Sequence, residues 1–218
     1  MITTNLTLVR HGQSVRNAGR RGETSRYPTT GTPDAEIDLT PQGRLQAILN
    51  GLWLRDEGVI TPDVHLVTSC YIRARRTGKL LAPYRLWESD RRWNERNFRV
   101  DPELPDGTEN AEPLTDLEQR VRQVLGEYAA KNAVAITHCL TMHAARIAIE
   151  GLDFGNWDRI QRTRPILPGQ IMQYEEIRYD NGELSSLRRR SVNPSARDAW
   201  DDGKWVEIEH GAGLHPIV

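Results

Sequence analysis

The sequence predicts an α/β fold in which a mostly parallel sheet is sandwiched between helices. Two observations predict it. Short apolar segments alternate along the chain with amphipathic segments whose apolar residues recur every three or four positions, a pattern typical of strands alternating with helices. Polar and basic residues also follow directly after three of the predicted strands. Such alternation favours a parallel sheet that helices cover on both faces.

The length and composition indicate one globular domain with an extension. The chain has 218 residues, of which 38% are hydrophobic and 27% charged, as in ordinary globular proteins. We expect residues 1–190 to form a single domain. Residues 191–218 contain Trp200 and Trp205 and are too apolar for a free tail. We therefore expect this C-terminal extension to pack on the domain or on a second subunit, and a homodimer is one alternative.

The charge balance gives no reason to expect a nucleic acid or a membrane surface as a partner. Lysine and arginine number 29 against 30 aspartates and glutamates, for a net charge of −1. Cys70 and Cys139 do not make a disulfide framework, and no segment approaches the ~18 apolar residues of a membrane span. The start of the sequence also lacks the pattern of a secretion signal. We expect a cytoplasmic protein.

The first third of the chain predicts a strand, a loop and a helix. Residues 6–9 form a short apolar strand that ends at Arg10. Residues 19–38 are rich in glycine, threonine, proline and charge, which predicts a surface loop. Thr40 then offers an N-cap before a proline, and apolar residues at helical spacing follow. This amphipathic helix is predicted to end at Gly58.

Four further strands and three further helices follow from the same patterns. Residues 64–68 read as a strand, and Ser69 is a candidate cap for a helix over 72–81. Thr115 and Glu118 form a capping-box pattern at the start of the next helix. A third strand over 133–137 leads through a histidine into an alanine-rich helix. Strands at 170–179 and 183–190 flank Asp-Asn-Gly, a strong hairpin turn signal.

The predicted strand ends bring together residues suited to a bound anion. Ligands of open parallel sheets lie beyond the carboxyl ends of the strands. Arg10 and His11 follow the first strand, Arg73 lies shortly after the second, and His138 follows the third. We therefore expect two histidines and two arginines to share one edge of the sheet.

These residues resemble the motifs of a known family, the histidine phosphatase superfamily, which includes the phosphoglycerate mutases. The resemblance rests on four segments in the family's order, which are residues 8–14 with Asn17, residues 38–43, Ser69 with Arg73, and residues 135–138. It covers about residues 6–150. It implies a phosphoglycerate mutase-like fold with a short cap insertion, which we place near 88–113 and 151–168.

The resemblance also implies a role for each matched residue. His11 would be the nucleophile that carries the phosphoryl group, and a neutral imidazole is nucleophilic near pH 7. Arg10 and Arg73 would bind the phosphoryl oxygens through forked hydrogen bonds, with His138 as a further donor. Asn17 matches a family position close to the phosphate. This chemistry needs no metal ion and no cofactor.

The general acid is expected from the branch of the family that carries it between the second arginine and the second histidine. Glu95, beside Trp93, is the best match for this acid, because Cys139 stands where the other branch has it. In the favoured branch a glycine commonly follows the second histidine. If that position requires a conformation open only to glycine, Cys139 would strain the backbone.

The short interval between Glu95 and His138 favours a phosphatase. Mutases of the family carry a long insertion there, which encloses the substrate, whereas an open cleft admits water. We expect a metal-independent phosphomonoester hydrolase acting on a phosphorylated small molecule or a phosphoprotein. A phosphoglycerate mutase-type phosphotransferase and a non-catalytic phosphate-binding module are the alternatives.

Overall fold

The computed structural model describes residues 2–19, 32–96, 98–100, 109–128, 131–196, 200–209, 211 and 213. Within these residues the α-helices are α1 (Val15–Gly19), α2 (Pro41–Asp56), α3 (Ile72–Leu81), α4 (Leu114–Tyr128), α5 (Cys139–Glu150) and α6 (Trp157–Thr163). The strands are β1 (Ile2–Arg10), β2 (His65–Thr68), β3 (Glu88–Ser89), β4 (Phe98–Val100), β5 (Glu109–Ala111), β6 (Ala133–Thr137), β7 (Ile171–Arg178), β8 (Leu184–Val192) and β9 (Val206–Glu207). Short 3-10 helices lie at Asp34–Glu36, Arg91–Trp93, Phe154–Asn156 and Trp200–Gly203.

The main sheet has the strand order β3-β2-β6-β1-β7-β8-β9. Strands β3, β2, β6 and β1 pair in parallel, and β7, β8 and β9 extend the sheet with antiparallel pairs. Strands β4 and β5 form a separate two-stranded antiparallel sheet. The predicted α/β fold is confirmed, and its parallel part is the half of the main sheet that ends at β1.

Two apolar clusters cover the two faces of the sheet. Side chains alternate between the faces of a strand, and in β6 the buried Ala133 and Ala135 belong to one cluster while Val134 and Ile136 belong to the other. Helices α4 and α5 pack against the first cluster, and α2 and α3 against the second. This layering buries β6 completely and leaves its carboxyl end open to the site.

The loop after β1 lies directly against the first turn of α2. A Cβ atom on Gly12 would come within 2.1 Å of the carbonyl oxygen of Gly43, and one on Gly43 within 2.1 Å of that of Gln13. Glycine is therefore required on both sides of this contact. Thr40 caps α2 as predicted, because its hydroxyl accepts a hydrogen bond from the Gly43 amide at 3.0 Å.

The part of the C-terminal extension that the structure describes packs on the main sheet. Strand β9 pairs with β8, and the guanidinium of Arg190 lies 5.0 Å from the ring centroids of both Trp53 and Trp205. Arg190 also pairs with Glu57 at 2.7 Å. These contacts join the extension to the end of α2.

Three sequence predictions differ from the structure. Helix α4 begins at Leu114, so Thr115 lies inside it and does not cap it. Tyr71 occupies the N-cap position of α3 and makes no side-chain capping hydrogen bond, so Ser69 does not cap this helix. Of the predicted surface loop over 19–38, residues 20–31 lie outside the described residues, whereas Ile37 is buried. Ile37 therefore packs into the protein body before α2 begins.

Candidate active site

The site lies at the carboxyl ends of three neighbouring parallel strands. β6 pairs with both β1 and β2, and Arg10 stands opposite Thr137 in the register. The amide of His11 donates to the Thr137 carbonyl at 3.0 Å, and the amide of Ser69 donates to the Ile136 carbonyl at 2.9 Å. The chain thus leaves all three strands at the same edge, as the topology of an open parallel sheet requires.

The imidazole of His11 is fixed with one nitrogen available for chemistry. Its Nδ1 lies 2.7 Å from the carbonyl oxygen of Gly12, which accepts hydrogen bonds only, so Nδ1 carries the proton. The Nε2 lone pair accepts a hydrogen bond from Arg73 Nε at 3.2 Å. Burial lowers the pKa of His11 well below its usual value, and the charges of Arg73 and Arg10 lower it further. His11 is therefore neutral near pH 7, as a nitrogen nucleophile must be.

The second histidine lies beside the first. The ring centroids of His11 and His138 are 5.0 Å apart, and His138 Nε2 lies 2.7 Å from Ser69 Oγ. The hydroxyl of Ser69 donates to Asn94 Oδ1 at 2.9 Å. Because a hydroxyl has only one hydrogen to donate, Ser69 accepts the Nε2 proton of His138. Ser69 thus orients the histidine instead of capping α3.

This orientation leaves the other nitrogen of His138 without a proton. His138 Nδ1 is buried and has no hydrogen-bond partner among the described residues. Burial lowers the pKa of His138 well below its usual value, and the neighbouring His11 lowers it further. An anion bound next to the ring would favour its protonation, after which Nδ1 becomes a donor.

Arg73 is buried and is held by a carboxylate. Its side chain is 6% exposed, and its Nη2 lies 3.1 Å from Asp34 Oδ2. Asp34 Oδ1 also lies 2.7 Å from Nη1 of Arg16. Both Asp34 and Arg16 line the cavity, and the sequence analysis identified neither as a site residue. No local sequence motif marks Asp34 as a site residue.

Arg10 and Asn17 line the same cavity. The Nη1 of Arg10 donates to the carbonyl oxygen of Ile166, and its Nε is buried without a hydrogen-bond partner among the described residues. Asn17 Oδ1 accepts hydrogen bonds from the amide and the hydroxyl of Ser14, at 3.1 and 2.9 Å. This arrangement directs the oxygen of Asn17 toward the protein and leaves its amide nitrogen as the group for a ligand.

Glu95 follows the short helix Arg91–Trp93 and lines the same cavity. Its Oε1 accepts hydrogen bonds from the backbone amides of Arg96 and Leu140, at 3.1 and 3.2 Å. Burial raises the pKa of Glu95, although the charges of the site arginines oppose the rise. A carboxyl group with a raised pKa retains its proton at higher pH and is suited to give it to a leaving group.

The cavity that these residues line has a volume of ≈ 570 Å³. The residues predicted from the sequence as site residues that line it are Arg10, His11, Asn17, Arg73 and Glu95. His138 lies next to His11 and is buried behind the lining residues. The structure thus brings all six predicted residues together in one site.

Cys139 fits its position without strain. It is the first residue of α5, and among the described residues other than glycine only Asp202 has a positive φ. The position after His138 therefore does not require glycine, and the expected backbone strain is absent. The thiol lines the cavity and lies 3.6 Å from the Ile166 carbonyl oxygen.

No cluster of three or more histidine, cysteine, aspartate or glutamate side chains suited to a metal ion occurs in the described residues. No helix in the described ranges is long and apolar enough to cross a bilayer.

Comparison with known proteins agrees with the fold. The fold is that of the phosphoglycerate mutase-like α/β proteins. The family model described as histidine phosphatase superfamily (branch 1) matches residues 6–104, which contain His11, Arg73 and Glu95. This match confirms the resemblance inferred from the motifs over that part of the chain. No curated protein matches the chain.

Solved structures share the fold at low sequence identity. A protein named mycobacterial hydrolase 1 is 20% identical, with a TM-score of 0.66 over 92% of this chain and 100% of its own. A mycobacterial glucosyl-3-phosphoglycerate phosphatase is 19% identical, with a TM-score of 0.63 over 85% of this chain and 97% of its own. A phosphoserine phosphatase from Entamoeba histolytica is 16% identical, with a TM-score of 0.59 over 84% of this chain and 96% of its own. At these identities the likeness concerns the fold alone.

Proposed function

We propose that the chain is a metal-independent phosphomonoester hydrolase that acts through a phosphohistidine at His11. The observation that carries this proposal is the placement of His11 Nε2. The nitrogen is unprotonated and lies in one cavity with the guanidinium of Arg73 and the protonatable carboxyl of Glu95. A nucleophile, an oxyanion donor and an acid are the groups that phosphoryl transfer from an ester requires.

The first step transfers the phosphoryl group to the enzyme. His11 Nε2 attacks phosphorus, so that an N–P bond forms while the bond from phosphorus to the ester oxygen breaks. Arg10 and Arg73 offset the charge on the phosphoryl oxygens, and His138 donates from Nδ1 once the anion has favoured its protonation. Glu95 gives its proton to the leaving oxygen, which departs as an alcohol.

The second step releases phosphate. Glu95, now ionised, accepts a proton from a water molecule while the water oxygen attacks phosphorus. The N–P bond breaks, inorganic phosphate leaves, and both His11 and Glu95 return to their starting states. The same carboxyl thus serves first as acid and then as base.

The substrate class is a phosphorylated small molecule, with a phosphoprotein as the alternative. The cavity is lined by the basic residues Arg10, Arg16 and Arg73 and by residues of α5, α6 and the segment after α6. The names of the solved relatives, which include phosphatases of glucosyl-3-phosphoglycerate and of phosphoserine, support a small-molecule ester.

The test compares three proteins on an aryl phosphate in the presence of EDTA. We expect the wild type to release phosphate, His11→Ala to lose activity, and His65→Ala to keep it. His65 is a suitable control because it lies on β2 outside the cavity and pairs with Glu88 at 3.3 Å. Acid-labile radiolabel should be trapped on the wild type and not on His11→Ala. Activity that needs a metal, or that persists in His11→Ala, would refute the proposal.

A further inference from the structure

A second buried histidine lines the cavity and has no part in the proposed mechanism. His143 lies on α5 one turn after Cys139, and it is 1% exposed. Its Nδ1 is buried and has no hydrogen-bond partner in the part of the chain that the structure describes. An unpaired buried polar atom destabilises the folded protein, so such a group calls for a ligand or a partner.

The ring of His143 is uncharged under physiological conditions. Burial, and to a smaller extent the charges of Arg146 and Arg10, lower its pKa to about 3. The ring packs edge-on against Trp157, with centroids 6.3 Å apart, and Trp157 is itself buried. A neutral imidazole donates at one nitrogen and accepts at the other. A hydroxyl group can likewise donate one hydrogen bond and accept another, so it can pair with either nitrogen.

The neighbouring side chains can bond hydroxyl groups. Gln161 and Asp158 lie on α6 and line the same cavity as His143. An amide both donates to a hydroxyl and accepts from one, and a carboxylate accepts from one. The lining also carries charges of both signs, from Asp158 and from Arg96, so it favours neither a carboxylate nor an ammonium at the alcohol end of a substrate.

We infer that His143 determines specificity by hydrogen-bonding a hydroxyl group of the leaving alcohol, so that the preferred substrates are phosphate esters of polyols or sugars. This inference rests on the proposed phosphatase function and names its substrate class. A buried site built to bond a hydroxyl discriminates against the analogue that lacks it, because its polar atoms are then left unpaired.

The test uses two esters of equal chain length, glycerol 1-phosphate and propyl phosphate, and measures kcat/KM for each in the presence of EDTA. We expect the wild type to prefer glycerol phosphate by about 10-fold, as one or two satisfied hydrogen bonds allow. His143→Phe keeps a flat ring and removes both nitrogens. It should reduce this preference toward unity, mainly by lowering kcat/KM for glycerol phosphate.

Two further variants distinguish a lost contact from a disturbed fold. His143→Gln restores a donor and an acceptor and should recover part of the preference, whereas His65→Phe, outside the cavity, should leave it unchanged. A wild type without preference, or a preference that survives in His143→Phe, would refute the inference while phosphatase activity stands. A wild type that hydrolyses neither these esters nor an aryl phosphate would refute both the inference and the proposed function.

Discussion

The carboxylate of Asp34 should weaken phosphate binding, and Asp34→Asn should therefore strengthen it. Asp34 occupies the guanidinium of Arg73 through contacts of 3.1 and 3.4 Å, and it pairs with Arg16 at 2.7 Å. A phosphate that binds Arg73 needs the same nitrogen donors. The asparagine keeps the shape of the side chain and removes its charge, so the competition for Arg73 falls.

The size of the effect follows from burial. A hydrogen bond to a charged group contributes about 1.5–3 kcal/mol, but the side chain of Asp34 is 29% exposed, and solvent screens its charge. The free energy of phosphate binding should therefore become more favourable by about 1–2 kcal/mol, which corresponds to roughly 5- to 30-fold tighter binding. The assay is calorimetric titration with inorganic phosphate, supported by its inhibition constant against an aryl phosphate.

The matched control is Asp56→Asn, which changes the net charge equally. Asp56 ends α2 and its exposed side chain pairs only loosely with Arg55, at 3.7 Å. We expect the phosphate affinity of Asp56→Asn to equal that of the wild type. If Asp34→Asn binds phosphate no better, or less well, then Asp34 positions Arg73 for the anion and does not compete with it.

Two further predictions concern the acid and the packing of the helices. Burial raises the pKa of Glu95, and its proton is present below that pKa and lost as the pH rises through it. We therefore expect kcat for alkyl phosphates to fall on the alkaline side of the pH profile. Glu95→Gln should lower this kcat by ~10²- to 10⁴-fold and remove the alkaline fall from the profile. A wild-type profile retained in Glu95→Gln would assign the acid elsewhere. Gly51→Ala places a Cβ atom 2.2 Å from the Leu81 carbonyl oxygen and should destabilise the protein by about 1–3 kcal/mol. Gly126→Ala lies in α4, where a Cβ atom meets no other atom within 4 Å, and should stabilise the protein by about 0.5–1 kcal/mol. Urea unfolding measures both, and equal signs would contradict the packing argument.

Residues that adjoin the ends of strands could be predicted from the sequence. Arg10, His11 and His138 follow apolar strands directly, and the topology of a parallel sheet then brings them to one edge. Arg73 could also be predicted, because it lies in the first turn of the helix after β2. Local patterns suffice for these positions, since the strand and the residue after it are contiguous in the chain.

Residues that enter the site through long-range contacts could not be predicted in this way. Asp34 follows a segment without apolar periodicity, and its contact with Arg73 joins residues that are 39 positions apart in the chain. His143 lies on the apolar, alanine-rich helix α5, where a histidine looks like an ordinary core residue. The partnership of Ser69 with His138 depends on a side-chain hydrogen bond across two strands, for which the sequence has no local signal.

The side chain of Asn94 links the segment of Glu95 to Ser69 and His138. Its Oδ1 accepts hydrogen bonds from the hydroxyl of Ser69 and the amide of Cys70, and the next residue in the chain is Glu95. Ser69 in turn contacts Nε2 of His138 at 2.7 Å. In the proposed mechanism, an ester whose leaving group displaces Glu95 would therefore also displace Ser69 and His138, and it would lose proton transfer and anion binding together.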